Sequence, residues 1–205
     1  MLDLAYKYEK ELKELFMNTW YDEKYMFYHY GIHHEIYAND KNDWNSRQFV
    51  SLDSTGKVIG YISYEINRTS DFANGFGAIN FSDNKAVFGK DLVQVIDDIF
   101  CKFNMRKLQF CVVCGNPIEK NYDKLIKQYN GRIIGIRKQQ VKLLDNKYYD
   151  DKMYEIFRED YINTKRPKFK KYDKPIIIPT ATHIKIGDKD LLKSLFEMEE
   201  CFNEK

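Results

Sequence analysis

Residues 82–90 (SDNKAVFGK) combine residue types that could bind an anion. They lie between an extended run ending near Phe81 and a helical stripe starting near Gly89. A loop entering a helix exposes backbone amides that lack intrahelical partners, and those amides attract anions together with the positive end of the helix dipole. Gly89 would let a ligand come close to the backbone, and a diphosphate fits such a loop. Cys111 and Cys114 have the spacing of half a zinc site or of a redox pair. They fall in residues 107–114 (KLQFCVVC), a β-branched, apolar run in which positions three apart point to opposite faces, so two buried thiols are expected. Cys101 and Cys201 stand far away in sequence. His29 and His33 are four apart, as two ligands on one helix face would be, but Gly31 weakens that helix and no third ligand has a matching spacing. No metal site is expected. Glu65, on a strand that could face a cleft, is a carboxylate that could serve as a base or remain a solvated surface group.

The elements that must position these groups follow from periodicity. Leu4, Tyr8, Leu12, Leu15, Phe16 and Thr19 share one stripe, which predicts an amphipathic helix over residues 4–20. The aromatic-rich residues 20–44 suit a second helix and a loop lining a cleft. Residues 47–52 and 58–66 read as strands of a hairpin closed by Asp53-Ser-Thr-Gly56, and residues 77–81 as a third strand after a turn around Asn74 and Gly75. Leu92, Val93, Ile96, Ile99, Phe100 and Phe103 mark a helix, residues 107–114 a buried strand, and Tyr122, Leu125, Ile126 and Tyr129 another helix stopped at Asn130-Gly131. Strands are expected over residues 132–136, 139–144 and 152–158. The fold class is therefore mixed α/β.

With 205 residues, 33 basic and 31 acidic side chains and 43% hydrophobic residues, the chain has the length and apolar content for one core, and no charge excess calls for nucleic acid. No apolar run approaches the roughly 18 residues needed to cross a bilayer, and the amino terminus lacks the pattern of a secretory signal, so a cytoplasmic protein without membrane partners is expected. Residues 165–174 (KRPKFKKYDK) hold six basic residues and one acid. They read as a basic linker between a domain over residues 1–164 and a strand-helix extension over residues 175–205; the other reading is a phosphate-attracting segment.

The order of elements over residues 57–161, together with Gly56-Lys-Val-Ile-Gly60-Tyr-Ile, Asn116 six residues before Tyr122, and the closing turn and strand over residues 147–161, resembles the GNAT superfamily of acetyl-CoA-dependent N-acetyltransferases. The last of these is similar to the ribosomal-protein-acetylating branch. The resemblance implies a mostly antiparallel central sheet flanked by helices, with the amino-terminal helices forming an acceptor cleft. It also implies transfer of an acetyl group from acetyl-CoA to a primary amine of a small molecule or peptide, by direct attack in a ternary complex.

Matching positions carry the implied roles. The backbone at Ile79 to Phe81 would bind the pantetheine arm and acetyl carbonyl. The family's phosphate loop, Gln or Arg, two residues, Gly, one residue, then Gly or Ala, maps onto Asn84, Lys85, Ala86, Val87, Phe88 and Gly89, followed by Lys90. Asn84 stands where the family has a long donor and Val87 where it has a glycine; Lys85 or Lys90 would supply compensating charge. Asn116 would bind the cofactor arm and Tyr122 would protonate the departing thiolate, a duty for which a neutral phenol is suited; as a residue it reads equally as a core aromatic on a helix stripe. The alternative is a GNAT-fold protein without cofactor that contacts a partner or nucleic acid through the basic segment. A homodimer stays open.

Overall fold

The computed structural model describes residues 1–29, 38 and 44–165. The chain runs β1 (Leu2–Leu4), a 3₁₀ turn (Ala5–Tyr8), α1 (Glu9–Met17), a 3₁₀ segment (Glu23–Tyr28), β2 (Ser46–Leu52), β3 (Val58–Asn67), β4 (Phe72–Asn80), α2 (Lys85–Asp97) with a π turn at its end (Asp98–Lys102), β5 (Lys107–Val113), α3 (Glu119–Gln128), β6 (Arg132–Lys142), β7 (Tyr148–Phe157) and α4 (Arg158–Lys165). The strands form one sheet in the order β1-β2-β3-β4-β5-β7-β6, antiparallel except for the β4–β5 pair. The basic segment beyond Lys165 and the extension over residues 175–205 lie outside the described residues, as do Gly31, His33 and Cys201.

Local chemistry explains most boundaries. In the β2–β3 hairpin, Asp53 Oδ1 accepts hydrogen bonds from the amides of Thr55 and Lys57, and Gly56 takes φ +86°, where a side chain would be strained. The helix expected over residues 4–20 is shorter, because Leu2–Leu4 pairs along the outer edge of β2, and only Glu9–Met17 winds as a helix burying Leu12 and Phe16. Residues 132–142 form one strand in place of the two expected; the break falls at an irregularity where Gln139 takes φ +50°. The helix α4 was not expected.

The feature that matters for function is in β4. Asn74 and Gly75, expected in a turn, lie inside the strand: Ser63 pairs with Gly77 but Glu65 with Asn74, so β4 carries an extra residue, with Gly75 at φ +58°. Such a bulge bends its strand. β4 accordingly pairs with β5 only at Phe72↔Lys107 and Ala73↔Leu108, and beyond those positions the two strands part.

Beneath the joined part of the sheet sits the main core, with Ile62, Tyr64, Ile96, Ile99, Phe100, Leu108, Tyr154 and Ile156 almost fully buried. It anchors α2 through Val95 and Ile96 and α3 through Ile126. Helix α2 is seated by Phe88, whose ring packs so closely on Gly60 that a Cβ there would overlap it.

Candidate active site

Where β4 and β5 part, a cavity of about 690 Å³ opens. Gly77, Ala78 and Ile79 line one wall, residues of β5 the opposite wall, and Asn116 and Tyr122 reach it from the segment after β5. Phe16, Phe27 and Tyr28 close one side with aromatic surface.

The parity of the β3–β4 ladder decides which backbone groups face this opening. Phe81 donates its amide to the Ile59 carbonyl at 2.8 Å. Hydrogen-bonded and non-hydrogen-bonded pairs alternate in an antiparallel ladder, so Ile79, opposite Tyr61, also turns its backbone groups toward β3. The residues between, Ala78 and Asn80, turn theirs toward the splay. Of the arm-binding residues expected from the sequence, Ile79 lines the cavity and Phe81 does not, packing instead against the cluster of Phe16, Tyr25 and Ile79. Ala78 was missed, because parity depends on a register that residue types do not encode.

Asn116 and Tyr122 come together at the cavity. Gly115 at φ +92° turns the chain out of β5, and Asn116 Oδ1 accepts from the Ile118 amide at 3.1 Å, starting α3. The orientation of α3 is fixed by Asp123, which accepts from Lys152 Nζ at 2.7 Å and from the Tyr154 hydroxyl at 2.9 Å. The Lys152 ammonium holds the Asp123 carboxyl below the usual carboxylate range. With Asp123 committed to β7, its neighbour Tyr122 is directed to the opening, its ring edge-on to Phe110 at 5.1 Å. Burial pushes the Tyr122 phenol well above its ordinary range, so it is protonated, and a proton donor, across neutral and mildly alkaline pH. Burial likewise raises Tyr28 and Tyr61 to about 12.

Cys111 faces the same cavity, which corrects the expectation of a buried thiol: the splay removes the neighbouring strand that would have covered it. Its Sγ lies 3.9 Å from Arg137, whose guanidinium grips the buried Asp151 carboxylate at two points. Partial desolvation by the cavity walls, with the Asp151 carboxylate adding to it, pushes the Cys111 thiol up. Cys114 sits half-buried in the following turn. His29 is fully buried with Nε2 against Thr19 Oγ1, and Glu65 is exposed, accepting from Asn74 Nδ2. Among the described residues no group of three His, Cys, Asp or Glu could hold a metal ion, and no helix is long and apolar enough to cross a membrane.

Residues 84–90 do not line the cavity. Helix α2 begins at Lys85, four residues earlier than expected, because Asn84 is a strong N-cap whose Oδ1 accepts from the Val87 amide. Gly89 therefore lies in the second helical turn, with open space where a Cβ would stand. Lys85, Ala86 and Lys90 are exposed, and Val87 and Phe88 half-buried.

No protein-family model matches the chain, and no curated protein matches it. Solved structures match in fold. Spermidine/spermine N-acetyltransferase SpeG from Vibrio cholerae, crystallised in complex with manganese ions, aligns at 23% identity and a TM-score of 0.52, covering 60% of this chain and 72% of that one. A point mutant of spermidine N-acetyltransferase SpeG from Vibrio cholerae aligns at 25% identity and a TM-score of 0.51, covering 60% and 70%. A chimera of the Vibrio cholerae enzyme and hSSAT gives 23%, 0.51, 60% and 73%. The mixed, mostly antiparallel sheet with its helices is thus the fold of these N-acetyltransferases.

Proposed function

We propose that this chain is an N-acetyltransferase of the GNAT type, moving an acetyl group from an acyl thioester such as acetyl-CoA to a primary amine. The observation that carries this reading is the β4–β5 splay, with the free strand edge at Ala78 on one wall and the protonated Tyr122 phenol on the other. The arm end of acetyl-CoA fits there: an extended amide chain can pair with an open strand edge as a further strand would.

The chain's own groups account for the step. A backbone amide of β4 donates to the acetyl oxygen and stabilises the negative charge that develops on it; a positioned donor of this kind is worth about 3 kcal/mol. The amine nitrogen supplies its lone pair to the carbonyl carbon, a C–N bond forms and the C–S bond breaks. Tyr122 gives its proton to the sulfur and recovers one from solvent, while the surplus proton on nitrogen leaves to water. Attack is read as direct, in a ternary complex; a Cys111 thiol pushed above its ordinary range is a weak nucleophile, which supports this over an acyl-enzyme route.

The structural neighbours are spermidine or spermidine/spermine N-acetyltransferases. For this chain the described walls favour an amine with an apolar body. Their carboxylate, Asp151, is engaged by Arg137, and Phe16, Phe27 and Tyr28 supply aromatic surface. The test is thiol release from acetyl-CoA in the presence of a panel of amines, analysed by initial rates in both substrates. Amine-dependent release with intersecting double-reciprocal lines is expected. Release independent of amine, or parallel lines, refutes direct transfer.

A further inference from the structure

The loop that enters α2 has already used the groups with which it would hold a diphosphate. Ser82 donates its amide to Asn80 Oδ1 at 3.0 Å, Asn84 to Ser82 Oγ at 3.1 Å, Lys85 to the Asp83 carbonyl at 2.8 Å, Val87 to Asn84 Oδ1 at 3.3 Å and Phe88 to the Asn84 carbonyl at 3.3 Å. Of the amides from Ser82 to Phe88, only those of Asp83 and Ala86 are left. The positive end of the helix also has a carboxylate beside it, since Asp83 sits in the loop with its side chain fully exposed and 3.4 Å from Lys24 Nζ. An incoming diphosphate would have to break side-chain caps and approach that carboxylate. Val87 adds a branched side chain in the first turn, and the ring of Phe88 pins that turn against Gly60. Lys85 and Lys90 offer only solvent-screened charge.

The arm end of the cleft is in the opposite condition. β4 and β5 share two residue pairs and then present open edges, and Asn116 and Tyr122 both reach the cavity. We propose that this chain recognises its acyl donor by the pantetheine arm and thioester, and not by the diphosphate and nucleotide, so that its donor class is short acyl-pantetheines irrespective of the group attached to the far end. The inference rests on the acyltransferase reading but is tested apart from it.

The experiment is calorimetric titration of the full chain with three probes, coenzyme A, pantetheine and adenosine 3′,5′-bisphosphate, repeated with Gly89→Glu. Pantetheine and coenzyme A are expected to bind within about fivefold of each other, the bisphosphate not at all at millimolar concentration, and Gly89→Glu to change coenzyme A affinity less than twofold. The inference is overturned if coenzyme A binds more than a hundredfold tighter than pantetheine, if the bisphosphate binds or displaces coenzyme A, or if neither thiol binds. Kinetics with acetyl-CoA and acetylpantetheine then separate the two ideas. Equal binding of both arms without transfer to any amine refutes the acyltransferase reading and leaves the donor inference standing; transfer from acetyl-CoA alone does the reverse.

Discussion

Replacing Tyr122 with phenylalanine removes one hydroxyl and little else. The ring keeps its edge-on packing on Phe110 at 5.1 Å and on Tyr154 at 6.2 Å, and α3 stays tied to β7 through Asp123, which is untouched. Stability should therefore change by less than about 0.5 kcal/mol, or roughly 2 °C in Tm for a chain of this size. The effect on catalysis is much larger. A positioned general acid contributes about 10²- to 10⁴-fold, so kcat should fall by about 2.7 kcal/mol or more in barrier at pH 7, with KM for the donor nearly unchanged. The leaving group identifies the role. Bulk pH does not change the barrier to expelling a thiolate without an acid, so the deficit of Tyr122→Phe should stay constant from about pH 6.5 to 10 for a donor thiol of pKa about 8.5, and should shrink for an acyl donor whose thiol is several units more acidic. The wild-type phenol is pushed above its usual range and does not ionise over that interval, so its own titration does not confuse the comparison. The assay is thiol release from both donors followed from pH 6.5 to 10 in both proteins. A loss under threefold, or a deficit no smaller with the more acidic thiol, refutes the assignment of Tyr122 as the acid.

Cys111→Ser should retain kcat within threefold, measured in the same assay, because a thiol pushed up beside Asp151 is a weak nucleophile; loss of a hundredfold with unchanged Tm would reverse that view. Gly131→Ala places a Cβ 2.7 Å from the Glu155 carbonyl oxygen and 2.9 Å from Ile156 Cγ1, both on β7, so it should cost about 1–3 kcal/mol by urea denaturation. Alkali should destabilise the fold through buried phenols. Tyr28 and Tyr61 stand at about 12 when folded against 10.0 when free, so the unfolded chain releases those protons first; the stability they contribute is present below pH 10 and lost as pH rises toward 12, a fall that Tm scans from pH 8 to 12 would show.

Much of this fold is legible in the sequence because its signals are local. Asp53 and Gly56 define a hairpin whatever surrounds them, and Leu92, Ile96, Ile99 and Phe100 mark a helix by spacing alone. Tyr122 and Asn116 were singled out through a resemblance in the order of elements, and the structure brings both to one cavity. What stayed hidden depends on pairing. Asn74-Gly75 carries the composition of a turn, and the same glycine permits a bulge; only the register with Glu65 and Ser63 separates the two. The access of Ala78 to the splay descends from that register, and the clamp of Arg137 on Asp151 from the β6–β7 register that places those two residues opposite each other.

Loop 82–90 shows a different limit, since there the local signal was read in only one of its two senses. Short polar side chains before a helix mark exposed amides, and they are also the side chains that satisfy such amides. Asn80, Ser82 and Asn84 do the latter. A phosphate loop built for its ligand leaves its donors free and uses glycine to keep them bare; here Asn84 caps the helix and Val87 occupies the place where the resembled family has a glycine. The substitutions are thus consistent with one another. On the donor inference proposed above, a chain whose loop 82–90 is self-capped while the edge of β4 at Ala78 stays open would keep the part of the cleft where the proposed transfer occurs and leave donor recognition to the arm.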